Sequence, residues 1–243
     1  MQENYPSKPG IDFIVKQAFF YWNKTLIYQL MFSIIYFSIF FTSLFFFATK
    51  FGIWEQNQAL IEAYKTSTEA YLEKAQVLSQ TESSRLFMYS VLGTVIFLYP
   101  LNLGFFQIYR KMDMKEEISL SDLFVGYNGL NFFRYASYFL FWIIPYSQLL
   151  GTIIFPIFWI AVTLFIAPLM FFQNKTIFEG LSLSFKAMKN YFLEIFVCIL
   201  IAFIFKYIGF GLFFVGALFT FPFWNAMIYS LYKIIFSEKA ENP

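Results

Sequence analysis

The sequence has no histidine, one cysteine and few charges, with Asp, Glu, Lys and Arg making up 13% of 243 residues. Without histidine there is no imidazole metal site, no Ser–His or Cys–His nucleophile pair and no imidazole proton relay. Iron oxygenases that need histidine ligands are excluded on the same ground. The single cysteine, Cys198, lies inside an apolar run, so it forms no intrachain disulfide and reads as a small packing residue. Glycine-rich phosphate loops are absent, and Gly209 and Gly211 mark a helix turn rather than a cradle after a strand. A net charge of +2 with no basic stripe offers nucleic acid no surface. No metal, no cofactor and no catalytic set is expected, and the chain reads as a non-enzyme.

Apolar sequence takes the place of charge. Hydrophobic residues make up 59% of the chain and 38 of them are phenylalanine. Runs this long cannot be hidden in a soluble core, whereas lipid solvates them. The first 25 residues lack the order of a cleavable signal, so the first apolar run is expected to remain as a membrane anchor. Residues 1–243 read as a single integral membrane domain, all-α and polytopic. Six transmembrane helices in three hairpins are predicted: Leu26–Ala48, Leu86–Tyr109, two legs within Phe132–Phe172 joined somewhere in Tyr146–Pro156, Tyr191–Phe205, and Leu212–Phe236. Lys206–Gly211 is expected as the last turn, and residues 1–10 and 237–243 as polar tails.

Each return leg carries a proline, at Pro100, Pro168 and Pro222, and runs on to Arg110, Lys175 and Lys233. Proline removes a donor and clashes with the carbonyl four residues back, here Ile96, Leu164 and Leu218. In hydrocarbon, neighbouring helices, polar side chains or local 3₁₀ geometry must satisfy that carbonyl. Asn102 and Asn225 follow two of the prolines and are placed to bond the freed backbone. These five residues are the candidate cavity or hinge, although kinks that merely shape packing are the simpler reading. The other uncharged polar groups in the spans (Gln29, Thr94, Gln107, Gln148, Thr163) suit helix–helix hydrogen bonds. Arg134, Glu194 and Lys206 fall near span ends, with Glu194 expected to pair with Lys186 or Lys189.

A short amphipathic segment precedes each hairpin and is expected to lie on the membrane surface. The first is Ile11–Trp22, with Ile11, Ile14, Val15, Ala18 and Trp22 on one face. The second starts at Ser119, where Asp122 completes a capping box and Leu120, Leu123, Phe124 and Tyr127 share a face. The third starts at the Thr176–Glu179 capping box and places Ile177, Phe178, Leu181, Phe185 and Met188 on one face. Residues 51–85 form the one long hydrophilic insertion, predicted as an extracytoplasmic helix or helical hairpin with a polar gap at Ser67–Thr68.

Orientation follows from the basic residues. Lys16, Lys24, Arg110, Lys111, Lys115, Arg134, Lys175, Lys186, Lys189 and Lys233, with Lys8 and Lys239 in the tails, outnumber Lys50, Lys65, Lys74, Arg85 and Lys206 on the other side. This excess predicts both termini in the cytoplasm, with the three surface segments on the leaflet where basic residues meet anionic headgroups.

The motifs Pro100-Leu101-Asn102-Leu103-Gly104, Ser119-Leu120-Ser121-Asp122-Leu123-Phe124-Val125-Gly126, Phe155-Pro156-Ile157, Ala167-Pro168-Leu169, Ser182-Leu183-Ser184-Phe185-Lys186, and Pro222 with Tyr229 carry a resemblance. From Pro9 to Phe236 the chain resembles a family of uncharacterised bacterial six-helix integral membrane proteins, related to the membrane domain fused to some glycerophosphodiester phosphodiesterases. The resemblance implies a six-span topology in a bacterial inner membrane and no catalytic residues. The expected function is non-enzymatic binding of membrane lipids or of a membrane-protein partner, in an accessory or scaffold role. The alternative is a small permease or lipid-handling carrier whose pathway is lined by the kinked even-numbered helices.

Overall fold

Helices form over the apolar runs and over the polar insertion, and three of the breaks between them fall at or just before Pro100, Pro168 and Pro222. In the computed structural model, which describes residues 10–152, 154–212 and 215–237, all regular structure is helical and no strand occurs among the described residues. The chain runs through α1 (Ile11–Lys24), α2 (Leu26–Lys50), α3 (Ile53–Thr66), α4 (Thr68–Ser79) and α5 (Glu82–Leu98) to a 3₁₀ turn at Tyr99–Asn102. It continues with α6 (Leu103–Met114), a 3₁₀ segment at Leu120–Tyr127, α7 (Asn131–Leu149), α8 (Ile154–Thr163), α9 (Ile166–Gln173) and α10 (Ile177–Asn190). It ends with α11 (Phe192–Gly211), α12 (Ala217–Thr220), α13 (Phe223–Tyr232) and a π-helical turn at Lys233–Ser237. The predicted polar tails, with Lys8 and Lys239, fall on or beyond the ends of the described residues.

The chain divides into two compact units. One takes the sequence up to Ile34 and from Tyr99 onward, and the other is Ile35–Leu98. In the second unit the predicted insertion is a pair of helices. Ser67 breaks them in an extended conformation, and its hydroxyl caps α4 by accepting from Ala70 N at 3.0 Å. Tyr64 and Tyr71 meet edge-on across the break at 5.9 Å, and Ser84 Oγ donates to Gln56 Oε1 at 2.8 Å. No residue of α3 or α4 is buried, as befits a charged pair of helices with solvated faces.

In the first unit α1 is a packed element. Ile14 and Ala18 are wholly buried, Tyr21 nearly so, and the helix lies against α13. The Ser119 segment forms with its capping box, but as a 3₁₀ helix. Leu123 and Gly126 point inward while Leu120 and Phe124 stay exposed, which corrects the expected face. The cause is contact distance: at Gly104 and Gly126 a Cβ would fall on the backbone of Leu123 and of Pro100. In α10 the capping box also forms, with Glu179 Oε2 accepting from Thr176 N at 2.8 Å. The inward face, however, is Gly180, Ser184, Ala187 and Met188, and Phe178 is exposed. Small residues let α10 approach Ile166 closely, so size rather than hydrophobicity sets the face.

Four helical stretches among the described residues are long and apolar enough to cross a membrane: Leu26–Lys50, Glu82–Met114, Ile154–Gln173 and Phe192–Gly211. The other two expected legs fall short of that standard. α7 carries Asn131, Arg134 and Gln148 together with Pro145, and the last leg is cut by Pro222 into α12 and α13. The connection between α7 and α8 lies within the expected window, at Leu150–Thr152. α11 runs on to Gly211, so Lys206 sits inside a helix and not in the expected turn.

Candidate functional site

Every return leg breaks at or just before its proline. Pro100 sits in the 3₁₀ turn between α5 and α6, Pro168 lies just after the break at Leu164–Phe165, and Pro222 separates α12 from α13. Side chains take up the backbone groups these breaks release, as hydrocarbon requires. Asn102 Nδ2 donates to Tyr99 O at 3.0 Å, and Phe165 N donates to the buried Ser184 Oγ at 3.2 Å. The Trp22 indole donates to Phe219 O at 2.8 Å, meeting a carbonyl at the broken end of α12.

Two of the candidate residues meet directly. Asn225 Nδ2 donates to Asn102 Oδ1 at 3.1 Å. Pro100, Pro168 and Pro222 are buried and belong to three separate helix breaks. The Asn pair begins a polar seam that follows α6 and α13, which run in the same direction. At its far end Asp113 is a hub: Oδ1 accepts from Tyr21 OH at 2.7 Å, Oδ2 accepts from Tyr229 OH at 2.7 Å, and Lys233 Nζ lies 2.9 Å from Oδ2. Lys233 also donates to Tyr21 OH at 3.1 Å. Burial, reinforced by the adjacent carboxylate, raises the Tyr21 hydroxyl far above the ordinary phenol range, so it remains a donor. Between the two ends, Tyr109 packs on both Tyr21 and Tyr229 and accepts from Gln29 Nε2 at 3.1 Å.

Sequence reasoning missed the hub. Asp113 sits among Arg110, Lys111 and Lys115 and reads as one charge of a solvated turn. The available signal was three tyrosines, at positions 21, 109 and 229, each just inside an apolar run and close to a basic residue. Neighbouring charges staple the same end of the unit. Lys111 Nζ lies 2.8 Å from Asp122 Oδ1, and Asp122 Oδ2 accepts from Ser119 N at 2.8 Å. Arg134 closes the α7–α9 hairpin by donating to Asn174 Oδ1 at 2.6 Å and Lys175 O at 2.8 Å, where Asn174 ends α9 in the left-handed region.

The expected pairing of Glu194 with Lys186 or Lys189 does not occur among the described residues. Glu194 is buried with Oε2 unpartnered, and Lys189 lies over the Phe185 ring at 4.4 Å. Lys206 lies over the Phe221 ring at 4.4 Å, an aromatic face in place of a carboxylate. Cys198 is fully buried. No cluster of three or more metal-ligating His, Cys, Asp or Glu side chains occurs among the described residues.

Among the described residues these features define an all-helical protein with four helical stretches long and apolar enough to cross a membrane, stitched by a polar seam. No family model, no curated protein and no solved structure matches the chain.

Proposed function

We propose that the chain is a six-span integral membrane protein of a bacterial cytoplasmic membrane, with both ends on the cytoplasmic side. In this reading it binds membrane lipids or a membrane-protein partner without catalysing a reaction. The topology is supported by Asp113, which joins the start of the first hairpin through Tyr21 to the ends of the second and sixth legs through Tyr229 and Lys233. Three leg ends at one place fit hairpins that open on one side. Basic residues concentrate there, which under the positive-inside rule makes that side cytoplasmic. The resemblance to the six-helix bacterial family points the same way.

The binding role rests on one observation. Only 11% of the apolar stretch in α2 is buried, against 61% in Ile154–Gln173. A long apolar helix left bare by its own chain needs lipid or another helix to cover it. Native mass spectrometry after mild detergent extraction tests this. Phospholipid or one stoichiometric membrane protein should stay bound, and deleting Glu55–Gln80 should release a protein partner that docks on the insertion. Bare monomer under every mild detergent would overturn the binding role. Topology is tested in a Cys198→Ala background: Ser67→Cys should label from outside intact cells and Glu116→Cys only after lysis. The reverse pattern would overturn the orientation.

The second reading, a small permease or lipid-handling carrier, draws support from the buried polar seam. In that case Asn102→Leu with Asn225→Leu would abolish solute uptake into proteoliposomes while leaving the fold intact.

A further inference from the structure

Thr25, which joins α1 to α2, and Gln29 and Ser33 within α2 follow one another at four-residue spacing in the first unit, and all three are completely buried. The orientation of the Gln29 amide is fixed by its neighbours. Thr25 uses its single hydroxyl hydrogen on Tyr21 O at 2.8 Å, so Thr25 Oγ1 must accept from Gln29 Nε2 at 2.9 Å. The second amide hydrogen goes to Tyr109 OH at 3.1 Å. Both donors are therefore spent, and Oε1 is left without a hydrogen-bond partner among the described residues.

Ser33 Oγ is equally without a protein partner. A helical serine ordinarily folds its hydroxyl back on the carbonyl three or four residues earlier, as Ser230 does on Ala226 O at 2.9 Å. Ser33 does not. Two buried oxygens thus lie one turn apart on one helix face, where Cβ atoms are about 5–6 Å apart. Leaving either unsatisfied is destabilising. In a span the penalty falls where bulk water cannot help.

We propose that Gln29 Oε1 and Ser33 Oγ form a binding site for one small ligand carrying at least two N–H or O–H donors. Water and the ammonium ion share that chemistry. The site connects to the Asp113 hub through two intervening residues, Tyr109 and Tyr21. It goes beyond the lipid-binding reading and does not depend on it.

A double-mutant cycle on the purified full-length protein in nanodiscs tests the site by thermal unfolding. A lone orphan hydroxyl predicts that Ser33→Ala leaves the Tm unchanged or raises it. A shared ligand predicts that Ser33→Ala lowers the Tm by several degrees, that Gln29→Met lowers it further, and that the double variant is no worse than Gln29→Met alone. Additive effects, or a Tm that holds or rises in Ser33→Ala, would overturn the site. Ammonium chloride in place of choline chloride distinguishes the two sources. A Tm rise in the native protein that Ser33→Ala abolishes assigns ammonium, and the same non-additivity without salt dependence assigns water. Ser33→Ala removes one oxygen atom and is expected to fold, so the cycle is readable from that arm even if Gln29→Met is not.

Discussion

Asn225 and Asn102, 123 positions apart in sequence, are joined by a side-chain hydrogen bond of 3.1 Å beside two helix breaks. Each amide depends on the other, because removing one leaves a polar group in an apolar interior. Asn225→Leu or Asn102→Leu alone is expected to cost roughly 1–3 kcal/mol of unfolding free energy. The double variant should cost less than the sum, since it removes both amides together. Chemical denaturation in detergent followed by tryptophan fluorescence measures all three.

Asp113 balances one cation and two phenols. Asp113→Asn leaves the Lys233 ammonium without its counter-charge and is expected to cost roughly 1–2 kcal/mol, the low end for a charged hydrogen bond because both partners are partly exposed. Adding Lys233→Met should restore part of the loss, as the stranded charge goes with it. The same denaturation series reads both.

Backbone proximity makes Gly104, Gly126 and Gly209 sensitive. A Cβ at any of them would collide with Leu123, Pro100 or Thr220 respectively. Alanine at Gly104 or Gly126 is expected to cost about 1–3 kcal/mol or to prevent folding. Gly93, in α5, has nothing within 4 Å of its would-be Cβ. Gly93→Ala should therefore stabilise by roughly 0.5–1 kcal/mol. A thermal-shift series with Gly93→Ala as control separates the two classes.

Acid should loosen the start of α10. The Thr176 backbone N–H, then its hydroxyl, hold the Glu179 carboxyl below the ordinary carboxylate range. A lowered folded-state pKa contributes stability above the unfolded value and loses it as pH falls through the folded one. Amide exchange at the first turn of α10 should speed up as pH drops through that window, after correction for intrinsic rates. Glu179→Gln should remove the pH dependence.

Local rules carried well where the physics is local. The Ser67 break, both capping boxes and the proline-marked interruptions follow from side chains acting on their own backbone, so sequence displays them directly. Faces set by contact distance did not carry. Gly180, Ser184 and Ala187 point inward because the partner helix comes close, and a hydrophobicity pattern favours Phe178 and Phe185 instead. The Asp113 hub was illegible for a related reason, since its partners come from positions 21, 229 and 233 and nothing local marks them as neighbours. Lys206 read as a turn residue because charge usually ends a span, yet an aromatic face lets α11 continue past it.

The clasp between Tyr21 and Lys233, whose positions differ by 212, has a consequence for biosynthesis. α1 is synthesised well before α13, so Ile14, Ala18 and Tyr21 emerge before the surface that receives them exists. The first unit therefore cannot close until α13 has been made. Until then the growing chain leaves this seam open to chaperones and to proteases.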